Sequence, residues 1–247
     1  MLVYGKKYFE RIMEILETVL DTQQEKIVLA AQKFAEVFEN GNSIYVFGCS
    51  HAGIIAEELF YRTGGLAVIN PIFNPTLMLN TRPVTMTSTA ERLEGFGSAI
   101  LNQSPVKAGD AILIHSVSGR NPVVIEIALE AKKIGLFVIA LTNLTYSQNV
   151  TSRHSSGNKL YDVADIVINN CGDFEDGTIT LEGLNQTIGP SSTVIGAAIG
   201  NAIVIETAHI LLEKGITPPV YRSANVDDGD AFNKELVEKY KDRIHYL

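Results

Sequence analysis

Two short stretches of this sequence combine hydroxyl, amide and glycine residues directly before an apolar segment. The first is residues 48–53, Gly-Cys-Ser-His-Ala-Gly, and the second is residues 116–121, Ser-Val-Ser-Gly-Arg-Asn. The first N–H groups of a helix have no partner within the helix, so together with nearby hydroxyls they can bind an anion such as a phosphate. A single serine before a single helix is typically an N-cap, whereas two such loops in one chain favour a phosphate-binding site.

Each loop lies between a short apolar stretch and a longer one with helical spacing. Residues 43–47 precede the first loop and residues 111–114 precede the second, and both stretches predict buried strands. Helices are predicted over residues 54–61 and 122–134. A repeated unit of strand, loop and helix is typical of a parallel α/β sheet, in which the loops that follow the strands meet at one edge.

The composition is that of a globular protein. Of the 247 residues, 46% are hydrophobic and 19% are charged, which excludes a disordered chain. No stretch reaches the roughly 18 consecutive apolar residues of a membrane span, and residues 1–11 are too charged for a signal peptide. We therefore expect a cytoplasmic protein without membrane contact, in which Cys49 and Cys171 are reduced thiols.

The net charge of −8 limits the choice of partner. An acidic surface repels nucleic acid, so we expect no nucleic-acid partner. The same charge repels an anionic substrate at long range, which means that a phosphate site in this chain must rely on local donors.

Three flanking segments complete the predicted organisation. Residues 4–39 have largely helical spacing with an interruption at residues 21–25, which predicts two helices or one long bent helix. We treat residues 1–41 as an N-terminal helical arm and residues 42–247 as the main domain with a C-terminal tail. Residues 194–214 predict a helix that is apolar nearly all round and therefore buried in the core or in a subunit interface.

A further helix is predicted from residue 88 to residue 101. Ser88 and Glu91 have the spacing of a capping box, in which each side chain accepts a hydrogen bond from the other residue's backbone N–H group. This spacing predicts a structural role for Glu91. A catalytic role for its carboxylate is the alternative.

The two loops resemble the signature loops of the SIS (sugar isomerase) domain family. Apolar stretches at residues 66–70, 136–142 and 166–168 match the remaining strands of that family, and the resemblance covers roughly residues 41–215. It implies an α/β fold with a five-stranded parallel sheet and helices on both faces, here preceded by the N-terminal helical arm. It also implies a phosphorylated sugar or amino sugar as the ligand.

The same resemblance assigns the phosphate-binding residues position by position. They are Ser50, Ser116, Ser118, Gly119 and Asn121. Asn121 stands where many members of the family have threonine.

Three more residues are candidate ligands of the sugar. His51 follows Ser50 and could contact a sugar hydroxyl or cap the helix. Ser191 and Ser192 begin the last long helix and resemble the family's third hydroxyl-rich stretch, which often faces the sugar. Helix capping explains these two serines equally well, so both alternatives stand.

A closer similarity, to the phosphoheptose isomerases within the SIS family, suggests the catalytic residues. Aldose–ketose isomerisation moves a proton between neighbouring carbons, so it needs a base at carbon and an acid at oxygen. The similarity implies Glu58 as the base and His209 as the acid. The segment from Ser50 to Glu58 is two residues shorter than the family pattern, and at about 100° per residue this turns a helical side chain to another face. Glu57 and Glu91 therefore stand as alternative bases.

The sequence thus predicts a phosphosugar-binding protein whose leading activity is sugar-phosphate isomerisation. We expect a homodimer or larger homo-oligomer without an organic cofactor. No metal ion is expected either, since the zinc-ligand pattern of the phosphoheptose isomerases is absent near His51. The alternatives are a non-catalytic phosphosugar sensor and an amino-sugar-phosphate lyase or deaminase. A dinucleotide site is disfavoured, because Ser50 stands where the motif G-x-G-x-x-G has its second glycine.

Overall fold

The computed structural model describes residues 3–247 and begins with one long helix. Helix α1 spans Tyr4–Glu39 and ends at Asn40. The alternative of two helices is wrong, because the interruption at residues 21–25 does not divide α1. Within that segment Gln23 turns inward and its Oε1 accepts a hydrogen bond from the N–H of Asn169 at 3.1 Å, while the other polar side chains face solvent.

Five parallel strands form the central sheet, in the order β2-β1-β3-β4-β5. The strands are β1 (Ile44–Gly48), β2 (Ile69–Pro71), β3 (Ala111–His115), β4 (Phe137–Thr142) and β5 (Ile166–Asn169). The predicted five-stranded parallel sheet is therefore confirmed. The largest difference from the predicted bounds is at β2, which was expected at residues 66–70.

Helices connect the strands and cover both faces of the sheet. After α1 they are α2 (Ile54–Leu59), α3 (Met86–Ala90), α4 (Phe96–Asn102), α5 (Pro122–Ile134), α6 (Leu144–Gln148), α7 (Leu160–Val163), α8 (Ser192–Glu213) and α9 (Gly229–Tyr240). Single turns of 3-10 helix occupy Ser50–Gly53, Pro75–Leu77 and Lys241–Arg243. Strands β6 (Gly177–Ile179) and β7 (Ile188–Pro190) form a separate antiparallel pair.

Two hydrophobic cores lie on opposite faces of the sheet, because side chains alternate along each strand. On β3, Leu113 belongs to the core that contains α1, α2 and α8, whereas Ile112 and Ile114 belong to the core that contains α4 and α5. Helix α1 contributes Ile15 and Phe34 to the first core, so the N-terminal arm packs on the sheet. The division of the chain between residues 41 and 42 stays a prediction.

The segment expected as one helix from residue 88 to residue 101 is two helices. Helix α3 ends at Ala90, and α4 begins only at Phe96. Ser88 lies inside α3 and Glu91 directly follows it, so the predicted capping box is wrong. The side chain of Glu91 is therefore available for other contacts.

Helix α8 is buried on one side only, although it was expected to be apolar and buried nearly all round. Ile199 and Ile203 are buried, while Ile205 and Leu212 are 65% and 59% exposed.

Among residues 3–247, α8 is also the one helix long and apolar enough to cross a membrane, with a mean hydropathy of 1.7 over 18 residues. Core helices pass the same test, so this composition only weakly supports a membrane span, and the absence of membrane contact stays a prediction.

The strand order creates a switch point between β1 and β3. From β1 the chain moves first to β2 on one side and then to β3 on the other. Gly48 pairs with His115, so the loops over residues 48–53 and 116–121 leave the ends of adjacent strands. In open parallel sheets ligands bind in the crevice outside the carboxyl ends of the strands at such a point.

Candidate functional site

The candidate site lies at the carboxyl ends of β1 and β3. We call residues 116–121 the anion loop. Gly119 turns this loop with φ +59° and donates its N–H to Ser116 Oγ at 3.2 Å. Four other backbone N–H groups of the loop have no acceptor within residues 3–247, namely those of Val117, Ser118, Arg120 and Asn121. Neighbouring free N–H groups of this kind form a concave anion-binding nest.

Helix α5 contributes fewer donors than its first turn could offer, and phosphate binding at its N-terminus stays a prediction. Pro122 has no N–H group, and the N–H of Val123 donates to the carbonyl oxygen of Glu91 at 3.3 Å. Asn121 occupies the N-cap position, but its side chain makes no capping hydrogen bond. Within α5 the N–H of Val124 has no acceptor in residues 3–247, so most of the available donors belong to the anion loop and one belongs to the helix.

The loop after β1 makes a tight turn that presents Ser50. A Cβ atom on Gly48 would lie 2.5 Å from the carbonyl oxygen of Ala52, so this turn requires glycine. Ser50 has φ +52°, in the left-handed region that L-residues rarely adopt. Its Oγ donates to Glu91 Oε1 at 2.6 Å. This loop is therefore joined to Glu91, which follows α3.

Glu91 connects the loop after β1 with the anion loop. Its Oε1 accepts from Ser50, and its Oε2 accepts from Asn121 Nδ2 at 2.7 Å. Each carboxylate oxygen has about two acceptor positions, so both oxygens keep capacity for a ligand. The residue expected as a helix cap is thus a bridge between two of the predicted phosphate ligands.

The Asn121 side chain contacts a positive charge at its other end. Arg153, in the segment between α6 and α7, donates from Nη1 to Asn121 Oδ1 at 2.9 Å. Burial lowers the pKa of Arg153, and the nearby guanidinium groups of Arg120 and Arg92 lower it further. We call Arg92, Arg120 and Arg153 the arginine cluster. It places positive charge directly beside the anion loop, although the chain as a whole is acidic.

Unpaired buried polar atoms concentrate at the same edge of the sheet. Among residues 3–247 the buried side-chain atoms without a hydrogen-bond partner are His115 Nε2, Arg120 Nε, Ser147 Oγ and Asn170 Nδ2. All four residues end or follow β3, β4 or β5. An unpaired buried polar atom costs about 1–3 kcal/mol, so each such atom in a native fold calls for an explanation. Their concentration supports this edge as the ligand-binding edge.

His115, the last residue of β3, is fully buried beneath the two loops. Its Nδ1 lies 3.0 Å from the carbonyl oxygen of Ala52. Burial lowers the pKa of His115, and the charge of Asp176 only partly opposes this effect. A Cβ atom on Gly196 of α8 would lie 3.4 Å from the ring. The neutral ring therefore fills the space between the loop after β1 and α8.

Ser191 and Ser192 face a carboxylate of this chain. Asp176 accepts hydrogen bonds from both backbone N–H groups and both hydroxyls, at 2.6 to 3.2 Å. The two serines are buried, and the carboxylate supplies a negative charge at the N-terminus of α8, where it is favourable. Ser191 is the N-cap residue of α8, but its side chain makes no capping hydrogen bond. Both hydroxyls instead donate to Asp176, and contact with a sugar stays a prediction.

The two glutamates of α2 point in different directions. Glu58 forms an ion pair with Arg62 and accepts a hydrogen bond from Asn201 Nδ2 of α8 at 3.0 Å. Glu57 instead lines a small cleft together with Ser50. The structure therefore places Glu57, and not Glu58, beside a predicted phosphate ligand. The catalytic role of Glu58 stays a prediction.

The two predicted histidines lie at very different distances from the anion loop. His51 is exposed and follows Ser50 directly, so it borders the candidate site. His209 lies on α8, 17 residues after Ser192, which at about 1.5 Å per residue is roughly 25 Å along the helix. Its Nε2 is 3.4 Å from a carboxylate oxygen of Glu213. The structure does not bring His209 to the candidate site of its own chain, and its catalytic role stays a prediction.

The sequence reasoning missed the arginine cluster. Arg120 stood within the anion loop without an assigned role, and Arg153 lies in a polar segment to which the sequence analysis gave no function. No local pattern could have marked the cluster, because its members are far apart in the sequence and only the fold brings them together.

Within residues 3–247 there is no group of three or more His, Cys, Asp or Glu side chains placed to bind a metal ion. The expectation of no metal stays a prediction.

Comparison with known proteins identifies the family. The SIS domain family matches residues 7–143. A UPF0309 protein of Oceanobacillus iheyensis is 51% identical over 246 residues, covering 100% of both chains. A UPF0309 protein of Shouchella clausii is 48% identical over 244 residues, covering 99% of each chain. The chain therefore belongs to the SIS domain family and, within it, to the UPF0309 proteins.

Solved structures share the fold at low sequence identity. A phosphoheptose isomerase from Francisella tularensis has a TM-score of 0.53 and 18% identity, covering 82% of this chain and 95% of that one. A phosphoheptose isomerase from Neisseria gonorrhoeae has a TM-score of 0.51 and 20% identity, covering 83% of this chain and 96% of that one. This likeness confirms the predicted SIS fold.

We expect His115→Asn to reduce the acid sensitivity of folding. In the unfolded chain His115 has its ordinary pKa of 6.5, whereas burial lowers its pKa in the folded protein. As the pH falls, the unfolded chain therefore binds a proton on this ring before the folded protein does. The stability that His115 contributes is therefore complete above pH 6.5. Below that pH it falls by up to about 1.4 kcal/mol per pH unit until the folded pKa is reached.

Melting temperatures of both proteins at several pH values between neutral and about pH 5 measure this effect. Burial also lowers the pKa of His245, but this contribution is common to both proteins and cancels in the comparison. Parallel pH profiles of the two proteins would contradict the expectation.

Proposed function

We propose that this protein binds a phosphorylated sugar at the carboxyl ends of β1 and β3, with its phosphate in the anion loop. The observation that carries the proposal is the set of four free backbone N–H groups in that loop. Ser118 Oγ has no partner within residues 3–247, and Ser116 Oγ accepts from Gly119 but keeps its own proton to donate. Two proteins of the same fold are phosphoheptose isomerases, which supports a sugar phosphate as the ligand.

We propose aldose–ketose isomerisation as the activity. A base removes the C2 proton of the aldose while the C1 carbonyl oxygen gains a proton, which forms an enediol. The base then returns its proton to C1 while the O2 hydroxyl loses a proton, which forms the ketose. The site must therefore provide one carboxylate near the sugar carbons and a donor for the sugar oxygens.

Glu91 is the carboxylate that this geometry favours as the base. Hydrogen bonds from Ser50 and Asn121 hold it between the two loops, next to the proposed phosphate position. Glu58, which the resemblance implies, is instead held by Arg62 and Asn201. We therefore propose Glu91 in place of Glu58.

A non-catalytic phosphosugar sensor is the second candidate. The position of His209 favours it, since the expected acid lies roughly 25 Å along α8 from Ser192. A sensor would keep the anion loop but would need no base. An amino-sugar-phosphate lyase or deaminase would use the same phosphate site and would differ in the product formed.

We propose that two copies of the chain associate through α1 and α8. Large apolar side chains are exposed on both helices, namely Phe9, Met13 and Leu20 on α1 and Ile205 and Leu212 on α8. Exposed large apolar side chains on two packed helices favour an interaction site. His209 lies between Ile205 and Leu212 at helical spacing, so the same association would place His209 at the interface.

We expect Ser116→Ala combined with Ser118→Ala to weaken phosphosugar binding about 100-fold or more, since each hydrogen bond to a charged group contributes about 1.5–3 kcal/mol. Thermal-shift measurements with a panel of sugar phosphates test this. A ligand at about 100 times its dissociation constant stabilises the protein by about 2.7 kcal/mol. Ser88→Ala, at an exposed position of α3, is the matched control. If the double variant bound sugar phosphates with unchanged affinity, the proposal that the anion loop binds the phosphate would be wrong.

We expect Glu91→Gln to lower turnover about 100-fold or more, as expected for loss of a general base, while sugar-phosphate affinity stays within about threefold. Glutamine keeps the size of the side chain and can still accept a hydrogen bond from Ser50. Glu57→Gln and Glu58→Gln are the matched controls, and both should retain turnover. Loss of turnover in Glu58→Gln alone would return the role of base to Glu58. Tight binding without turnover in the unmodified protein would favour the sensor.

We expect Ile205→Glu to convert the oligomer into a monomer of 26.9 kDa, because a charge cannot be buried unpaired in an apolar interface. Light scattering after size-exclusion chromatography measures the mass. Asn185→Glu, which places a charge at an exposed position outside α1 and α8, is the control. A monomeric unmodified protein would contradict the proposed association.

A further inference from the structure

We propose that the arginine cluster is a second anion-binding subsite, which takes a carboxylate carried by the same phosphosugar. This inference rests on the proposed function and makes it more specific, because it names sugar phosphates that carry an acid group as the substrate class. The observation behind it is that Arg153 donates to Asn121 of the anion loop and pairs through its N–H with the carbonyl oxygen of Arg120 at 2.9 Å, with Arg92 close by. Within residues 3–247 no carboxylate forms an ion pair with any of the three guanidinium groups.

The cluster is held by neutral groups only. Within residues 3–247 none of Arg92, Arg120 and Arg153 forms an ion pair with a carboxylate. Arg153 donates to Asn121 Oδ1, and Arg120 donates to Thr151 Oγ1 at 3.1 Å. Arg120 Nε is buried and has no partner in this part of the chain. Like charges that are close together disfavour one another, and an anion placed among them would reduce this repulsion.

Asn121 separates the Glu91 carboxylate from the Arg153 guanidinium. Its amide group donates to Glu91 and accepts from Arg153, so an uncharged group stands between the carboxylate and the guanidinium. A direct ion pair would engage the hydrogen-bonding groups of both side chains with each other. With the amide between them, the carboxylate stays available for proton transfer and the guanidinium stays available for a ligand.

The phosphate has a sufficient set of donors without the arginines. The anion loop offers four free N–H groups and the hydroxyls of Ser116 and Ser118, which makes six donors. A phosphate monoester has three strong acceptor oxygens, and two hydrogen bonds to each would use all six donors. Arg153 contacts Asn121, the last residue of the loop, whereas Ser116 is the first. The arginine cluster is therefore positive charge beyond what the phosphate requires.

A carboxylate is the group that this cluster fits. A guanidinium presents its donors in a planar fork that matches the two oxygens of a carboxylate. A sugar hydroxyl would accept one hydrogen bond and would leave the repulsion within the cluster unchanged. In a chain of net charge −8, such a concentration of unpaired cations selects for an anionic group at short range.

A matched pair of ligands tests the proposal. Gluconate 6-phosphate and glucitol 6-phosphate differ only in a carboxylate or a hydroxymethyl group at C1, and calorimetry measures both affinities. We expect the unmodified protein to prefer gluconate 6-phosphate by about tenfold or more, as for a charge-assisted bidentate contact. Arg153→Gln and Arg120→Gln should reduce this preference to about threefold or less while keeping the affinity for glucitol 6-phosphate. Arg222→Gln, at an exposed arginine of the C-terminal tail, should leave both affinities unchanged.

The other outcomes separate failure of this proposal from failure of the proposed function. Equal affinity of the unmodified protein for the two ligands would overturn the carboxylate subsite and leave phosphosugar binding intact. Equal weakening of both ligands in Arg153→Gln would show that the cluster binds the phosphate itself, which also overturns the proposal. Absence of binding for both ligands and for inorganic phosphate would overturn the proposed function and this inference with it. Melting temperatures of the variants without ligand exclude a folding defect as the cause.

Discussion

The pairing of β1 with β3 is the constraint on which the site depends. Its register sets Gly48 opposite His115, so the two hydroxyl-bearing loops begin side by side. Both strands are buried almost throughout, and neither can shift without disturbing both cores. The buried ring of His115 fills the space beneath, and Gly48 permits the close turn above it. The sheet therefore fixes the separation between Ser50 and the anion loop before any ligand binds.

Two carboxylates of the chain occupy positions where ligand contacts were expected. Asp176 accepts four hydrogen bonds at the start of α8, so its acceptor positions are largely used and it acts as part of the fold. Glu91 accepts two, from Ser50 and Asn121, and stands beside the arginine cluster. The difference in remaining acceptor capacity explains why we propose proton transfer for Glu91 and a structural role for Asp176.

Charge acts differently at long and short range in this protein. The net charge of −8 repels anions at a distance, but salt screens interactions between exposed charges beyond about 10 Å. Partly buried charges at close range are screened much less. Desolvation and the nearby guanidinium groups of Arg120 and Arg92 lower the pKa of Arg153. A local excess of cations can therefore bind an anion despite the acidic surface.

The sequence by itself indicated the two hydroxyl-rich loops and the strands and helices that flank them, because these depend on local periodicity and turn chemistry. Helix α5 was predicted at its observed bounds, residues 122–134. The tertiary structure alone decided which carboxylate reaches the loops. Glu58 turns toward α8, and Glu91 reaches the loops because α3 ends before it. It also decided that Arg92 lies close enough to Arg153 for their charges to interact. These outcomes depend on how segments distant in the sequence are placed relative to one another, and no local pattern records that placement.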